Sequence, residues 1–236
     1  MKTVSGEDFL TEGELYYFVS VRVSGSTLND RALFGENGRE LAYKLGQAIG
    51  KLDHALAEFD FICNEPNLLE QMKNRWIPKL RESGCFTEAF YRDYLAHIEQ
   101  LYPQLPRQLI HRDPNPSNII SEHGEITGFL DFELTERNVR IFDPCYAATA
   151  ILLATYEDSA LDRDKWPEIL RNIIAGYDAV VRLAEAERAA IPYMIYSIQM
   201  TCIAFFSEFE RYRALADTNT QMLKWLIQEE AWKTFV

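Results

Sequence analysis

Residues 111–132 read HRDPNPSNIISEHGEITGFLDF, and this stretch is the strongest indication of the fold in the sequence. Two short apolar runs, Ile119-Ile120 and Ile126 to Leu130, flank the polar segment Glu122-His123-Gly124-Glu125. Apolar runs separated by turn-forming residues predict a β-hairpin whose arms run antiparallel. A hairpin centred in that polar segment places residue 118 opposite residues 129–130, so that Asp131 comes next to Asn118.

Three side chains that carry oxygen atoms flank this hairpin: Asp113, Asn118 and Asp131. Pro114 disfavours helical backbone at the preceding residue, so the Asp113 carboxylate is expected to project from an extended loop. Phosphoryl transfer to an alcohol needs a carboxylate that accepts the hydroxyl proton, and oxygen ligands that hold magnesium against the phosphates. Taken alone, the turn-forming segment 113–118 would predict only a structural loop. The hairpin and the three oxygen-bearing residues favour a site instead.

His111-Arg112-Asp113, followed by Asn118 and then by Asp131-Phe132, resembles the catalytic core of protein-kinase-like enzymes. The sequence is most similar to the aminoglycoside phosphotransferase and choline kinase group, because Glu133 replaces the glycine of the Asp-Phe-Gly motif and no Ala-Pro-Glu motif is visible. The resemblance implies an α+β, mainly helical fold. Its expected parts are a protein-kinase-like C-terminal lobe with a short catalytic-loop hairpin, and a remnant of the N-terminal lobe.

The resemblance also implies roles for individual residues. Asp113 would be the catalytic base, and Asn118 and Asp131 would be Mg²⁺ ligands. The co-substrate would be ATP, with GTP left open, and the acceptor would be a hydroxyl of a small molecule that can carry an amine. Arg112 replaces a glycine common in the group, and it would form either a surface salt bridge or a phosphate contact. Glu133 would assist the metal, meet a substrate amine or remain a solvated carboxylate.

Upstream, Leu15 to Val23 is rich in aromatic and β-branched residues and stops at Ser24-Gly25, which predicts a strand that ends in a turn. The resemblance implies that Arg22, Val23 and Ser24 form a hinge that binds the adenine ring. Residues 1–26 would then be a remnant of N-lobe strands and hinge, and residues 27–236 the helical C-terminal lobe. Most of the N-terminal lobe is expected to be lacking, so a second copy or another partner chain is expected to cover the exposed strand.

Apolar residues that recur every three or four positions predict helices over residues 38–59, 68–76 and 86–102, the second breaking near Pro78. After Pro144 the pattern is helical almost to the end, with breaks expected near residues 158–164, 185–190 and 216–220. Asp143 is predicted to cap a helix N-terminus. His54 is predicted to be a packed structural residue.

Composition limits the function classes. A net charge of −12 disfavours a nucleic-acid surface, because binding to phosphate backbones needs clustered Lys and Arg. The four cysteines are scattered without metal-ligand spacing, which favours reduced thiols. The first residues show no basic region that leads into an apolar stretch, so no secretory signal is expected, and the most apolar stretch, Ile191 to Phe206, is interrupted by polar residues. A cytoplasmic protein that binds neither nucleic acid nor membrane is expected.

Two alternatives to a kinase stay open at this point. One is a catalytically incomplete remnant that acts as a binding or interaction module. The other is a metal-dependent hydrolase that uses Asp113, Asp131 and Glu133, which the lack of accompanying histidine ligands disfavours. The aromatic and acidic residues on the late helices form either an amine pocket or part of the core: Tyr193, Tyr196, Phe205, Phe206 and Glu208.

Overall fold

The computed structural model describes residues 9–17, 21–60 and 62–235. The strands are β1 (Leu10–Glu12), β2 (Leu15–Tyr17), β3 (Ser26–Thr27), β4 (Arg107–Ile110), β5 (Ile119–Glu122), β6 (Glu125–Phe129) and β7 (Glu136–Val139). The α-helices are α1 (Asp30–Leu33), α2 (Gly38–Leu56), α3 (Leu68–Gln71), α4 (Ile77–Ser83), α5 (Glu88–Leu101), α6 (Phe142–Glu157), α7 (Trp166–Val181), α8 (Glu185–Phe206) and α9 (Arg213–Gln228). The predicted α+β, mainly helical fold is confirmed.

The predicted catalytic-loop hairpin is present. β5 and β6 pair antiparallel, and their turn residues His123 and Gly124 have φ angles of 52° and 79°, as tight hairpin turns require. The Leu130 amide donates to the Asn118 carbonyl oxygen at 2.8 Å, which confirms the predicted pairing. β3 adds to the free edge of β5 as a third strand. The hairpin therefore brings the residues after β6 back to the start of β5.

β4 pairs antiparallel with β7, a strand that was not predicted from the sequence. Residues 136–139 read Glu-Arg-Asn-Val and lack the apolar run by which a short strand is recognised. Nevertheless three of the four, Glu136, Asn138 and Val139, are buried. This pairing fixes the direction in which the chain leaves β4 and enters the catalytic loop.

The N-terminal strands form a small hairpin of their own, in which Leu10 lies opposite Tyr17. The strand predicted from Leu15 to Val23 is wrong in its length. β2 ends at Tyr17, residues 18–20 lie outside the described residues, and residues 21–23 are not in a strand. The chain instead runs onto the β5–β6 hairpin, where Gly25 lies so close to Ser121 that a Cβ would stand 2.6 Å from the Ser121 carbonyl oxygen.

Helices α2 and α7 cross at two glycines. A Cβ on Gly46 would stand 1.9 Å from the carbonyl oxygen of Ile173, and a Cβ on Gly176 would stand 2.0 Å from the carbonyl oxygen of Tyr43. The two backbones can approach this closely only because neither residue has a side chain. The crossing packs the long helix predicted over residues 38–59, found as α2, against the C-terminal helices.

The helix predicted over residues 68–76 does not break at Pro78. A π-helical turn from Met72 to Trp76 connects α3 to α4, and Pro78 lies in the first turn of α4. Proline lacks an amide hydrogen and its ring clashes with the carbonyl four residues earlier in a regular α-helix. The wider π turn accommodates that clash, and the helix continues until Gly84, whose φ is 65°.

The hydrophobic core lies between α2 and the C-terminal helices and includes Trp166, Tyr177 and Trp232. The break predicted near residues 158–164 is confirmed. Residues 185–190 and 216–220, where two further breaks were predicted, instead lie within α8 and α9, and the actual breaks span residues 182–184 and 207–212. Among the described residues, α8 alone is long and apolar enough to cross a membrane. Of its most apolar window, 61% is buried inside the protein, as in a core helix.

Candidate active site

The predicted catalytic loop spans residues 111–118, between β4 and β5. It begins at His111, which is fully buried directly after β4. Its Nε2–H donates to the Leu130 carbonyl oxygen at 2.8 Å, so Nδ1 is free to accept the amide hydrogen of Asp113 at 3.2 Å. The imidazole ring also packs on Phe132, with ring centroids 4.5 Å apart. His111 therefore ties the loop to the segment that follows β6.

Arg112 has a φ of 73°, and its side chain turns away from the loop. Its Nε lies 2.8 Å from Oε1 of Glu136, a carboxylate buried on β7. Burial raises the pKa of Glu136, although the charge of Arg112 opposes that effect. Of the two roles considered for Arg112, an ion pair is observed, and its partner is buried.

Asp143 holds the backbone of the loop. Its Oδ2 accepts the amide hydrogen of His111 and its Oδ1 that of Arg112, both at 2.8 Å. The prediction that Asp143 caps a helix N-terminus is wrong, because α6 begins one residue earlier, at Phe142. The carboxylate instead accepts hydrogen bonds from these two backbone amides, which point inward where Arg112 adopts its positive φ angle.

Two asparagines hold the carboxylate of Asp113. Asn115 Nδ2 donates to its Oδ1 at 2.9 Å, and Asn118 Nδ2 donates to its Oδ2 at 2.9 Å and to its backbone oxygen at 3.0 Å. Asn115 also accepts the amide hydrogen of Ser117 at 2.9 Å, which caps a short 3₁₀ turn over Pro116–Asn118. Each carboxylate oxygen of Asp113 accepts one of these asparagine hydrogen bonds and keeps a further lone pair. Because the Asp113 side chain is only partly buried, a substrate hydroxyl can reach that lone pair.

The two candidate metal ligands lie at the open end of the β5–β6 hairpin. Asn118 uses its amide nitrogen for Asp113, which leaves its Oδ1 for another partner. Asp131 follows directly after the residue that pairs with Asn118, and it is exposed with a φ of 64°. Mg²⁺ commonly takes one or two protein oxygens and completes its shell with phosphates and water, so this donor pair fits the ion. Within residues 9–17, 21–60 and 62–235 no group of three His, Cys, Asp or Glu side chains could hold a metal.

Glu133 lies beyond this pair in an exposed turn. Of the hinge candidates Arg22, Val23 and Ser24, the last two contact the same hairpin. Ser24 Oγ donates to Glu122 Oε2 at 3.0 Å, and Val23 packs over Gly128. The structure thus brings two of the three candidates to the hairpin that follows the predicted catalytic loop.

A cavity of about 350 Å³ opens beside the catalytic loop, between α6, α8 and α9. Asp30 and Glu157 lie on one wall, and burial, together with the charge of Glu157, raises the pKa of Asp30 to about 6. Gln199, which is 2% exposed, also lines the cavity, and its Oε1 has no hydrogen-bond partner among the described residues. Unpaired buried acceptors require a donor, and a ligand in the cavity can supply one.

Tyr146 lines the cavity on the side of the catalytic loop. Burial, and after it the neighbouring Cys202 and Asp113, raises the pKa of this tyrosine. Of the aromatic residues considered for an amine pocket, Phe206 lines the cavity, whereas Tyr196 belongs to the core.

The prediction of a packed His54 is wrong, because His54 is exposed and its neighbour Asp53 is buried.

Several residues of the site were missed in the sequence: Asp30, Asn115, Tyr146 and Gln199. For Asn115 a signal exists, because Asn-Pro-Ser is typical of a turn in which the asparagine side chain accepts the amide of the residue two positions on. The others come from distant helices and carry no local signal. Only the packing of those helices brings them to the loop.

Known proteins resemble this chain over part of their length. A homoserine kinase of Phenylobacterium zucineum is 33% identical over 110 residues, which is 46% of this chain and 32% of that protein. A homoserine kinase of Gluconobacter oxydans is 27% identical over 162 residues, which is 64% of this chain and 48% of that protein. The chain therefore spans less than half the length of these curated relatives.

The fold has close counterparts among solved structures. The crystal structure of an aminoglycoside phosphotransferase from Alicyclobacillus acidocaldarius superposes with a TM-score of 0.66 at 19% identity, covering 97% of this chain and 76% of that chain. The sequence profile of the phosphotransferase enzyme family matches residues 2–190. The match covers most of the chain, so this protein belongs to the phosphotransferase enzyme family, and the resemblance found in the catalytic loop is confirmed.

Proposed function

We propose that this protein is a small-molecule kinase that transfers the γ-phosphate of ATP to a hydroxyl of an amine-bearing substrate. The observation that carries the proposal is the Asp113 carboxylate, which two asparagines orient beside a cavity with one acidic wall. A fixed carboxylate next to a cavity of this size can receive a small alcohol. GTP stays an alternative phosphoryl donor.

Each residue has a proposed task. Asp113 orients the attacking hydroxyl and accepts its proton as the bond to phosphorus forms. Asn118 and Asp131 would hold Mg²⁺, whose charge neutralises the phosphate oxygens when it is bound. Glu133 lies two residues beyond Asp131 and is proposed to assist at the metal or at the substrate amine. Asn115 keeps Asp113 in its orientation through the hydrogen bond to Oδ1.

Arg22, Val23 and Ser24 are proposed as the hinge that binds the nucleotide base. Residues 1–26 would then serve as the N-lobe remnant and hinge, and residues 27–236 as the C-terminal lobe with the catalytic loop. Support comes from the contacts of Ser24 with Glu122 and of Val23 with Gly128, because both partners belong to the β5–β6 hairpin, whose open end carries the proposed metal ligands.

The acceptor is proposed to be an amino alcohol. Asp30 and Glu157 place negative charge at the cavity wall, and the unpaired Oε1 of Gln199 can accept a hydrogen bond from an ammonium group. The relatives described above are homoserine kinases, and homoserine is an amino acid with a primary hydroxyl group. It is therefore the first acceptor to test.

The test is release of ADP by the purified chain with Mg²⁺ and ATP, screened over homoserine, choline, an aminoglycoside and a neutral sugar. We expect turnover with at least one amine-bearing acceptor, and Asp113→Asn should lower kcat by at least about 100-fold. Full turnover by Asp113→Asn would refute the role given to Asp113. If calorimetry detected no binding of Mg²⁺-ATP at millimolar nucleotide, this chain alone would not be a kinase, and the binding-module alternative would be favoured.

Two further predictions concern the surroundings of the protein. The apolar side chains of the β1–β2 hairpin are exposed, with Leu15 at 60% and Tyr16 at 71%, which supports the proposal that a second copy or another chain covers them. Light scattering of the purified chain measures the oligomeric state directly. The cytoplasmic location stays a prediction.

A further inference from the structure

Two carboxyl groups lie against each other behind the catalytic loop. Asp53 comes from α2 and Asp143 from the first turn of α6, and both are 0% exposed. Their side chains are close enough to share a hydrogen bond. Two ionised carboxylates in contact inside a protein repel each other and lose their hydration, so a buried pair needs a proton between them.

Counting hydrogen bonds on the four carboxyl oxygens indicates where that proton sits. Asp143 accepts the amide of Arg112 on Oδ1 and the amide of His111 on Oδ2. Asp53 accepts the hydroxyl hydrogen of Tyr177 on Oδ2 at 2.7 Å. No donor among the described residues reaches Asp53 Oδ1, which is buried. This oxygen is satisfied if it carries a hydrogen itself and donates it to Asp143.

The surrounding charges do not remove the need for this proton. Arg140 is the cation that faces the pair, and its guanidinium is already bound to the buried Glu187 through two hydrogen bonds of 2.7 Å. His111 donates from Nε2 and accepts on Nδ1, as a neutral imidazole does. With Asp53 and Asp143 both ionised, the cluster would hold three negative charges against one positive charge.

We propose that Asp53 is a positioning residue for Asp113: it carries a proton on Oδ1 and donates it to Asp143, which stays ionised and holds the catalytic-loop backbone. Asp143 needs its negative charge because each of its oxygens accepts a hydrogen bond from a backbone amide, and it donates no hydrogen bond itself. The effect on turnover rests on the proposed kinase function. The position of the proton does not, and it can be tested without an acceptor.

The direction of the pH dependence follows from the same contacts. Burial, and after it the charge of Asp143, raises the pKa of Asp53 well above its usual range, while the hydrogen bond from Tyr177 opposes the rise. A folded-state pKa above the unfolded one favours folding at low pH. That contribution declines as the pH rises from the ordinary aspartate range through the raised pKa of Asp53. Ionisation of Asp53 at pH values above this raised pKa is therefore expected to loosen the loop.

The decisive comparison is between Asp53→Asn and Asp143→Asn. Asparagine at position 53 can donate its amide hydrogen to Asp143 and accept the Tyr177 hydroxyl, so it mimics protonated Asp53. Asparagine at position 143 would replace an acceptor of two amides by a group with an NH₂. We expect Asp53→Asn to keep kcat within about threefold of the wild type and Asp143→Asn to lose at least about tenfold. Asp53→Ala should lower both Tm and kcat.

Two measurements do not depend on activity. Tm of the wild type should fall as the pH rises, whereas Tm of Asp53→Asn should depend less on pH. In the infrared spectrum at neutral pH, the carbonyl band of a protonated carboxyl group should be present in the wild type and absent in Asp53→Asn.

A wild-type spectrum without that band would overturn the proposal even if every variant failed to fold. Equal pH dependence of Tm in the wild type and Asp53→Asn would overturn it as well. Failure of every acceptor screen, with the band present, would count against the kinase function and leave the proton assignment intact.

Discussion

At the scale of single residues, the Asp113 carboxylate is held by its neighbours before any substrate arrives. Asn115 and Asn118 each donate to one of its oxygens, at 2.9 Å in both cases. The amide of Asp113 is bound to His111, and Asp143 holds the two residues before it. A base that is already oriented loses less entropy when the hydroxyl binds.

Asn115 has two tasks that one substitution can separate. Asn115→Asp keeps the oxygen that accepts the Ser117 amide, but it replaces the donor to Asp113 by a negative charge. We expect folding to be retained and kcat to fall by about tenfold to 100-fold, the range of a hydrogen bond to a charged group. Circular dichroism and initial rates measure the two effects.

The matched control is Ser117→Ala, because residue 117 is exposed and the Ser117 Oγ donates to Asn115 Oδ1 with no other side-chain partner in the described part of the chain. It should change kcat little. If Asn115→Asp had the same kcat as the wild type, the hydrogen bond to Asp113 would have no role in catalysis.

The residues that are proposed to bind or react were selected from the sequence because their spacing is local. Asp113, Asn118 and Asp131 lie within 19 residues, and one hairpin brings the last of them back to the first two. The residues that support them could not be selected, because Asp53 and Tyr177 are far from the loop in sequence and look like ordinary helical positions.

At the scale of elements, the crossing of α2 and α7 depends on Gly46 and Gly176, which have no side chain. Helix propensity predicts that Gly46→Ala stabilises α2 by up to about 1 kcal/mol. The added Cβ would meet the Ile173 carbonyl oxygen at 1.9 Å, and backbone cannot move aside as a flexible side chain can. Packing should prevail, so we expect net destabilisation by about 1–3 kcal/mol or more, measured by thermal unfolding.

Gly35→Ala provides the control for this substitution. A Cβ there would lie 3.5 Å from its nearest neighbour, an ordinary contact. Its Tm should stay close to that of the wild type. A higher Tm for Gly46→Ala would mean that propensity outweighs the close approach of the helices.

The elements themselves were largely predictable, and the errors have physical causes. The periodic apolar pattern predicted α2 and α5, and the apolar runs predicted β5 and β6. Pro78 was expected to end a helix, but the π turn before it relieves the clash. β7 was missed because its burial comes from ion pairs and hydrogen bonds of polar side chains.

At the scale of the whole molecule, the cavity beside the catalytic loop is assembled from parts far apart in the chain. Asp30 comes from α1, Glu157 from the end of α6 and Gln199 from the middle of α8. Asp30 and Glu157 put negative charge on the wall of this cavity, where the proposed ammonium-bearing acceptor would bind.

The pKa of Asp30 leads to a prediction about acceptor binding. Burial and the charge of Glu157 raise that pKa to about 6, so Asp30 gains its negative charge between about pH 5 and pH 7. The KM of an ammonium-bearing acceptor should fall as the pH rises across this range, by about tenfold. KM measured at constant Mg²⁺-ATP tests this.

Asp30→Asn should abolish most of that pH dependence, since asparagine does not titrate. A neutral alcohol, if it is accepted at all, should show a KM that changes little with pH in both proteins. An unchanged pH dependence in Asp30→Asn would show that another group controls acceptor binding.

The sequence by itself determined the family, the mainly helical α+β class, and the hairpin that joins Asp113, Asn118 and Asp131. These depend on local spacing and on periodic burial, which the order of residues carries directly. Only the tertiary structure decided that Asp53 faces Asp143, that Arg112 pairs with Glu136, and that an acidic cavity opens at the loop. Those contacts join parts of the chain that are separated in sequence: α2 and α6 for the two aspartates, the loop and β7 for the ion pair, and α1, α6, α8 and α9 for the cavity. Packing of these elements, rather than the local pattern of the His111 to Phe132 segment, shapes the proposed substrate site.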